Sequence, residues 1–481
     1  MISGVARPAK AALKATQTVR SAAYDRSSTF VNVPHALSPV QTVERLSGAS
    51  EIVRSKTDMS VLIPALNEGE NLATLLPWLR RILEELDLSY EVIVVTSESD
   101  QGTIEAAVAA GARVLFQVSK GYGGALIDGV RASRGEYILT LDADLSHRPD
   151  FVREMWNARH AAEITIASRY VPGGTATMPR YRLYLSRVLN VVFRRGLSMP
   201  LRDLSSGFRL YLRSAIDPDV LRGTDFDLLQ EILVRAYCEG WKVQEIPFDY
   251  MPREHGSSSA RLTRLGKAYL RSFWRLWKLR NSLQAADYDY RAFQGPVPLQ
   301  RYWQRSRLRI VGHLTTGEGP VLDVGCGSSR VLGSLPEGSV GLDILMPKLR
   351  YSRRFALPLV QASGLQLPFP DASFSCVLSS QVIGHVPKDS ALIDELLRVL
   401  KPGGRLVLGT PDYSRWEWVY LEKLYERIVP GVANEHTARY TRTELLALLD
   451  AKGFIHEATR YIARAELIMA FRHRAQSSTA H

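Results

Sequence analysis

In the segment YILTLDADLSHRPD, Tyr137 to Asp150, two carboxylates stand one residue apart, at Asp142 and Asp144. The residues before them are strand-forming, and side chains two apart on a strand share a face. Two like charges on one face repel unless something positive lies between them, so a divalent cation is the natural occupant. The competing use of such a pair is an Asx-type turn that closes a strand. Hard cations prefer oxygen ligands, and Mg²⁺ typically combines one or two carboxylates with the phosphate oxygens of a substrate. A nucleotide diphosphate bridged to Asp142 and Asp144 by Mg²⁺ or Mn²⁺ would use the metal to neutralise charge developing on the leaving group.

A second site is written in GPVLDVGCGSSR. Asp323 to Gly327 form an Asp-x-Gly-x-Gly turn, in which small residues let a nucleoside approach the backbone. Asp343 follows Asp323 by twenty residues, the spacing of an acid that holds ribose hydroxyls at the end of the second strand. A dinucleotide fold competes, but its fingerprint needs a third small residue where this chain has Arg330.

Both sites require strands that end where they stand. From Met59 the chain alternates: MSVLIPA reads as a buried strand and ENLATLLPWLRRILEEL as a helix kinked at Pro77. EVIVVT (strand), GTIEAAVAAG (helix), RVLFQV (strand), YGGALIDGVRASR (helix) and EYILTLDAD (strand) follow. This spacing predicts a parallel, doubly wound α/β sheet. Ligands bind at the carboxyl ends of such strands, where Pro64 to Glu68, Thr96 to Gln101 and Asp142 to Asp144 all fall, and that convergence favours the metal. A break at NSLQAADYDYRAFQGPVPLQ puts a domain boundary near Ala286. A second doubly wound α/β alternation then runs through VLDV, GSVGLDI, LPLVQA, FSCVLSSQ, the helix DSALIDELLRVL and the strand GGRLVLGT.

The chain's 481 residues exceed the ~250–300 at which a single core stops growing, so two domains are expected. The boundaries are 1–57 for a disordered or weakly ordered basic tail, 58–285 and 286–481. A net charge of +12 and a pI near 9.6 suggest attraction to an anionic membrane, nucleic acid or phosphorylated substrates. Three cysteines, Cys238, Cys326 and Cys376, show no paired or metal-ligand spacing and suit a reducing cytosol. No apolar run reaches the ~18 residues of a membrane span, and no secretory signal follows the basic start. These features predict a cytoplasmic protein that lies on a membrane without crossing it.

VLIPALNEGENL, DADLSH, ASRYVPGG, RDLSSGFRLY and IPFDYMPREHGSSS, in this order, resemble a family 2 glycosyltransferase of the dolichol-phosphate mannosyltransferase type over roughly Asp58 to Arg280. The resemblance implies a GT-A fold, a nucleotide-sugar donor, and a polyprenyl phosphate or other glycan as acceptor. It gives Asp142 and Asp144 the metal and the diphosphate, and sets Pro64, Asn67, Glu68 and Ser97 beside the nucleotide. Arg169, Arg182 and Arg253 would meet the diphosphate or a phosphate-bearing acceptor, where a guanidinium fork matches phosphate oxygens; Arg169 and Arg253 are the catalytic candidates. Each lone arginine has a solvated or helix-capping role as its alternative. Asp203 would orient sugar or acceptor, or act as an N-cap, and Ser258 lies on the acceptor side. A lipid phosphate is already ionised, so no general base is required.

The chain departs from that pattern in places. Thr96 and Ser97 replace a pair of aspartates, with Glu98 and Asp100 nearby as substitutes. Ser146 stands where glutamine is common, and Ser258 and Arg261 replace a closing Ser-Lys. A non-catalytic nucleotide-sugar or membrane-binding module therefore stays open as the alternative. In RLTRLGKAYLRSFWRLWKLRNSL a basic stripe of Arg264, Lys267, Arg271, Arg275 and Lys278 opposes Leu262, Leu265, Tyr269, Phe273, Leu276 and Trp277. Such a helix suits an anionic membrane surface; packing on the catalytic domain is the competing use. RYRLYLSRVLNVVFRR has similar character. No nucleic-acid-reading module accompanies the charge, which argues against nucleic acid.

VLDVGCG, GLD, LPFPDASFSCVLSSQVIGHV and LKPGGRLVLGTPD resemble a class I S-adenosylmethionine-dependent methyltransferase over about Gln300 to Phe471. The resemblance implies a Rossmann-like fold. It assigns Asp323, Gly325, Cys326 and Gly327 to the methionine side of S-adenosyl-L-methionine, Asp343 to its ribose, and Ser363 to the position of an adenine-binding aspartate. Gln381 and His385 would line the mouth after the fourth strand. Fusion to a sugar transferase makes a glycan or lipid-linked sugar the expected methyl acceptor.

Overall fold

A computed structural model describes residues 57–251, 262–295, 297–428 and 437–474. The expectation for the basic tail lies outside them. Two seven-stranded sheets are formed, one from each half of the chain.

The first sheet contains β1 (Met59–Pro64), β2 (Tyr90–Thr96), β3 (Arg113–Phe116), β4 (Tyr137–Thr140), β5 (Ile164–Ser168), β7 (Arg209–Leu212) and β8 (Val243–Pro247), in the order 3-2-1-4-7-5-8. A two-stranded sheet pairs β6 (Thr175–Ala176) with β9 (Asp249–Tyr250). Period-two alternation divides the core. Val61, Ile63 and Val94 join Leu72, Leu75, Leu79 and Ile82 of helix α1 (Gly69–Glu85) on one face. Leu62, Ile93 and Val95 meet α3 (Gly121–Ala132) and α6 (Asp227–Cys238) on the other. The helix α1 runs on through Pro77. The helices α2 (Gln101–Ala109), α4 (Val152–Asn157) and α5 (Arg180–Gly196) complete this half up to α6.

The sheet is mixed rather than wholly parallel, because β7 runs antiparallel to both β4 and β5. The chain enters β7 from the RDLSSGF loop, at the edge where β4 and β5 end, and so returns against them. This brings Asp203 and Gly207 to the carboxyl edge beside Asp142.

Helix α7 (Leu262–Arg280) turns its aromatic face to the catalytic domain, the competing use of the stripe. Tyr269, Phe273, Leu276 and Trp277 pack into the core with Phe193 of α5, so the aromatic face is covered by protein. Arg275 donates to Glu231 at 2.7 Å, and Ser272 donates to Asp227. The outward face of α7 carries Leu270, Arg271, Trp274 and Lys278. The side chains of Arg264 and Lys267 lie outside the described residues. The larger exposed apolar stripe belongs to α5, with Tyr181, Tyr184, Leu185, Val188, Val191 and Val192. No helix among the described residues is long and apolar enough to cross a membrane.

A packed connector joins the halves. Buried Arg280 grips Asp287 with both terminal guanidinium nitrogens, and Ala286 N–H donates to Cys238 O at 2.9 Å. Then come α8 (Tyr288–Ala292) and α9 (Pro298–Thr315). The second sheet has the order 12-11-10-13-14-16-15, from β10 (Val321–Val324), β11 (Val340–Asp343), β12 (Leu359–Gln361), β13 (Phe374–Ser380), β14 (Leu400–Pro411), β15 (Phe454–Ile462) and β16 (Glu466–His473). β16 is antiparallel to β14 and β15. The helices α10 (Met346–Ser352), α11 (Leu392–Val399), α12 (Trp416–Ile428) and α13 (Arg442–Ala451) complete it.

Gly240 has φ +78, and a Cβ there would fall 2.3 Å from Pro347 O. Only glycine lets the first half approach α10 this closely. Arg350 stacks on Trp241 at 3.8 Å, and Arg353 pairs with Glu163 at 2.8 Å across the same seam.

Candidate active sites

β4 ends at Thr140, so Asp142 and Asp144 stand on the turn beyond the strand. The same-face reasoning from strand geometry therefore does not apply, and each carboxylate has its own setting. Asp144 is buried, and its Oδ1 accepts from Ser146 N–H at 3.1 Å and Ser146 Oγ at 2.5 Å, an Asx-type turn. Asp142 is half open. Its Oδ1 accepts from Tyr122 OH at 3.1 Å, and its N–H donates to His147 Nδ1 at 2.9 Å. That bond leaves the His147 proton on Nε2, which faces Asp142 Oδ2 at 3.9 Å. Burial lowers the His147 pKa despite Asp142, Asp144 and Asp203, so the ring is neutral at pH 7.

Gly207 makes room here. A Cβ on it would lie 2.9 Å from Tyr122 OH and 3.4 Å from Asp142 Oδ1. Tyr122 is fixed in turn by stacking on Phe226, ring centroids 4.3 Å apart. Neither residue was singled out from sequence; the Tyr-Gly-Gly that opens α3 was the available signal.

Pro64 ends β1, and the loop after it holds Asn67 and Glu68 beside the loop after β2. Asn67, at φ 57, donates its N–H to Asp100 Oδ2 at 2.6 Å, and Glu68 N–H donates to Thr103 Oγ1 at 3.0 Å. Asp100 also accepts from Thr96 Oγ1 and caps α2 through Thr103 N–H. Its carboxylate is thus engaged in holding the two loops together. Ser97 Oγ pairs with Ser99 Oγ at 3.0 Å, and Glu98 is exposed.

Arg169 and Asp203 form a buried fork, with Nε–Oδ2 2.7 Å and Nη2–Oδ1 2.8 Å. Burial alone would raise the Asp203 carboxyl, but Arg169 and Ser205 overcome this and hold it below the usual range. Asp203 is therefore a positioning partner of Arg169, not an N-cap. Arg169 lines a cavity of about 450 Å³ with Arg187, Arg194 and Arg202, three arginines that the sequence motifs did not single out. Arg253 and Ser258 lie outside the described residues, as does Arg261; so does the side chain of Arg182, whose backbone belongs to α5.

The turn after β10 has Gly325 at φ +75 and Gly327 at φ +55. Gly327 N–H donates to Asp343 Oδ2 at 2.8 Å, and Leu345 N–H donates to Asp343 Oδ1 at 2.8 Å. Asp323 and Cys326 are buried beneath. Burial, with Asp343 alongside, pushes the Asp323 carboxyl up to about 7. Burial also raises Asp343, which the two amides and Lys348 offset only in part. At the end of β13, Gln381 is held at φ +68, and Ser380 Oγ and Gln381 Nε2 are buried without a hydrogen-bond partner. Ser363 Oγ accepts from Leu365 N–H at 3.2 Å, and His385 is exposed in a short 3-10 turn. Just past Asp343, Ile344 is 64% exposed, an apolar platform of a kind that suits a purine face.

The family model for Glycosyl transferase family 2 matches residues 60–218, and that for a Methyltransferase domain matches residues 322–408. The chain joins a family 2 glycosyltransferase domain to a methyltransferase domain. Within the first, 232 residues are 32% identical to a dolichol-phosphate mannosyltransferase of Pyrococcus furiosus; the match covers 46% of this chain and 64% of that relative. A solved glucosyl-3-phosphoglycerate synthase from Mycobacterium tuberculosis, in complex with Mn²⁺, UDP and glucosyl-3-phosphoglycerate, aligns with 16% identity over 52% of this chain and 86% of its own, TM-score 0.36. A SAM-dependent methyltransferase from Thermotoga maritima, described as a possible histamine N-methyltransferase, aligns with 21% identity over 38% of this chain and 94% of its own, TM-score 0.33.

The residues of each domain can be tested against the group it would hold. In the glycosyltransferase domain, no cluster of three or more His, Cys, Asp or Glu suited to a metal occurs among the described residues. Two carboxylates without a third protein donor fit Mg²⁺ or Mn²⁺ completed by diphosphate and water. In the methyltransferase domain, a bare glycine turn, buried acids and the unpartnered polar atoms of Ser380 and Gln381 fit S-adenosylmethionine, which is cationic and polar at its amino-acid end.

Proposed function

We propose that the chain is a bifunctional transferase, with domains at 58–285 and 286–481. The first would move a sugar from a nucleotide-sugar donor to a polyprenyl phosphate or other glycan acceptor. The second would methylate a glycan or lipid-linked product. The observation that carries the reading is the Asp142–Asp144 turn, held open by Gly207 and oriented by Tyr122 at the carboxyl edge of the first sheet.

Asp142 and Asp144 would hold the metal, which supplies positive charge against a leaving nucleoside diphosphate. Tyr122 and neutral His147 keep Asp142 aimed, while Ser146 fixes Asp144. The Arg169–Asp203 pair supports the acceptor side, next to the arginine-lined cavity, where guanidinium groups suit a phosphate. The exposed apolar stripe of α5, with basic residues on the same helix, suits the cytoplasmic surface of an anionic membrane carrying the acceptor.

In the second domain, S-adenosylmethionine supplies an electrophilic methyl group. Asp343 would hold its ribose and Ile344 would support its base, while Gly325, Cys326 and Gly327 form the cradle. Alignment of acceptor and methyl group carries much of the rate in such transfer.

A second reading has its own observation. Thr96 and Ser97 stand where paired acids are usual in the resembled family, and Asp100 is engaged in capping α2. On that reading the first domain binds a nucleotide sugar or membrane without turnover. Mass spectrometry of products from a nucleotide-sugar panel, supplied with polyprenyl phosphates and S-adenosylmethionine, separates the two. Metal-dependent glycosylated lipid supports the bifunctional enzyme; methylation without any sugar transfer supports the second reading.

A further inference from the structure

We propose that Asp289 and Lys348 recognise the amino-acid end of S-adenosylmethionine, Asp289 facing its α-ammonium group and Lys348 its α-carboxylate. The proposal rests on the reading of the second domain as a cofactor-binding methyltransferase, and assigns two residues outside the motifs that define it.

Asp289 is carried by α8, the connector helix, and not by the second sheet. Its Oδ2 accepts from Lys348 Nζ at 3.2 Å and from Ser328 Oγ at 3.4 Å, and Oδ1 accepts from Gln304 Nε2 at 3.5 Å. A Cβ built on Gly327 would lie 3.3 Å from the same Oδ2. The carboxylate therefore rests against the bare face of the second glycine of the turn. Lys348, from the helix that follows Asp343, is only 5% exposed. Arg330, three residues after Gly327, stacks on Tyr290 of the connector at 4.0 Å, which pins α8 against the turn.

Lys348 is buried while the Asp289 side chain is 25% exposed, and burying the lysine charge carries a desolvation cost that an apolar residue of similar size avoids. Here the pair stands beside a glycine cradle, with the acids Asp323 and Asp343 on the neighbouring strands and Arg330 held against Tyr290. An amino acid presents one ammonium and one carboxylate on a single carbon, and the Asp289–Lys348 pair presents the complementary charges together. Arg307, the other cation near Asp289, is engaged by Glu466 at 2.8 Å, which leaves Lys348 as the carboxylate partner.

The test is calorimetry on the full chain with two ligands. S-adenosylhomocysteine carries the amino-acid end; 5′-methylthioadenosine lacks it and keeps the nucleoside. Loss of one charge-assisted contact should weaken S-adenosylhomocysteine by about tenfold or more in both Asp289→Asn and Lys348→Met, while methylthioadenosine changes by less than about twofold. Equal weakening of both ligands would mean that the pair only packs the turn and would overturn the proposal, as would unchanged binding of both. Failure of the parent chain to bind either ligand would instead overturn the cofactor reading on which the proposal stands.

Discussion

Each domain places two acids at the carboxyl edge of its sheet, and the two domains treat buried acid charge in opposite ways. In the glycosyltransferase domain, Asp203 is buried but answered by Arg169, so its carboxyl sits below the usual range. In the methyltransferase domain, Asp323 is buried beside Asp343 with no cation against it, and its carboxyl rises to about 7. On the proposed function, the answered pair beside an arginine-lined cavity suits a phosphate-bearing acceptor, while the acids of the second domain, without a cation against Asp323, suit a cationic cofactor. Function here is readable from where charge is compensated, more than from how many acids are present.

The largest effect should come from the first pair. Asp142→Asn with Asp144→Asn preserves shape and removes the charge that holds a cation, so sugar transfer should fall by at least about a hundredfold. S-adenosylhomocysteine binding, followed by calorimetry, should stay at the parental level. If sugar transfer persists at the parental rate, the aspartates form only a turn and the contrast between the domains collapses.

In stability rather than turnover, Asp203→Asn leaves Arg169 buried without its partner and should cost about 3–5 kcal/mol in urea unfolding at neutral pH. The matching change in the other domain, Asp343→Ala, should cost ~1.5–3 kcal/mol in S-adenosylhomocysteine binding while leaving sugar turnover intact.

The pH dependences should have opposite signs. A folded pKa raised above the unfolded value means that the folded state binds more protons between the two. Asp323 should therefore lower stability as pH rises from about 4 to about 7, a loss that levels off above that window. Asp203, with its depressed pKa, contributes stability above the unfolded value that is lost as pH falls through the folded one. Urea melts of Asp323→Asn against the parent, from pH 5 to 8, should show the variant gaining relative stability with pH. A constant difference across that range would remove the uncompensated charge from the account.

The smallest expected effect is at the membrane. Arg271→Gln with Lys278→Gln should weaken co-sedimentation with anionic vesicles by about 1 kcal/mol per charge. Tyr184→Ser with Val188→Ser should weaken it further, because the exposed stripe lies on α5. Unchanged sedimentation of both variants would show that these helices face solvent.

The order of strands and helices was legible because β1 to β4 and β10 to β14 carry apolar runs, which proline, glycine or aspartate closes at β1, β10, β11 and β14. The direction of β7 was not, since a four-residue strand reads the same in either sense and its pairing depends on the RDLSSGF loop returning beside β4. Asp142, Asp144, Asp323 and Asp343 were legible as acids that close strands. Their surroundings were not: Tyr122 comes from another helix, Gly207 from sixty-five residues beyond Asp142, and Asp289 from the connector. On α7 the period of the apolar face was read correctly, but periodicity cannot say whether lipid or α5 and α6 cover it. Gly240 carried no signal at all, because its need arises only when α10 approaches.

The most direct test of the central contrast is calorimetry on one preparation of the full chain, titrated with UDP and with GDP in Mn²⁺ or in chelator, and separately with S-adenosylhomocysteine. Nucleoside diphosphate binding should require the metal and vanish in Asp142→Asn with Asp144→Asn, while S-adenosylhomocysteine binding should be indifferent to chelator and to that variant. Nucleoside diphosphate binding of equal strength with and without metal, or S-adenosylhomocysteine binding lost with the same two aspartates, would contradict the account.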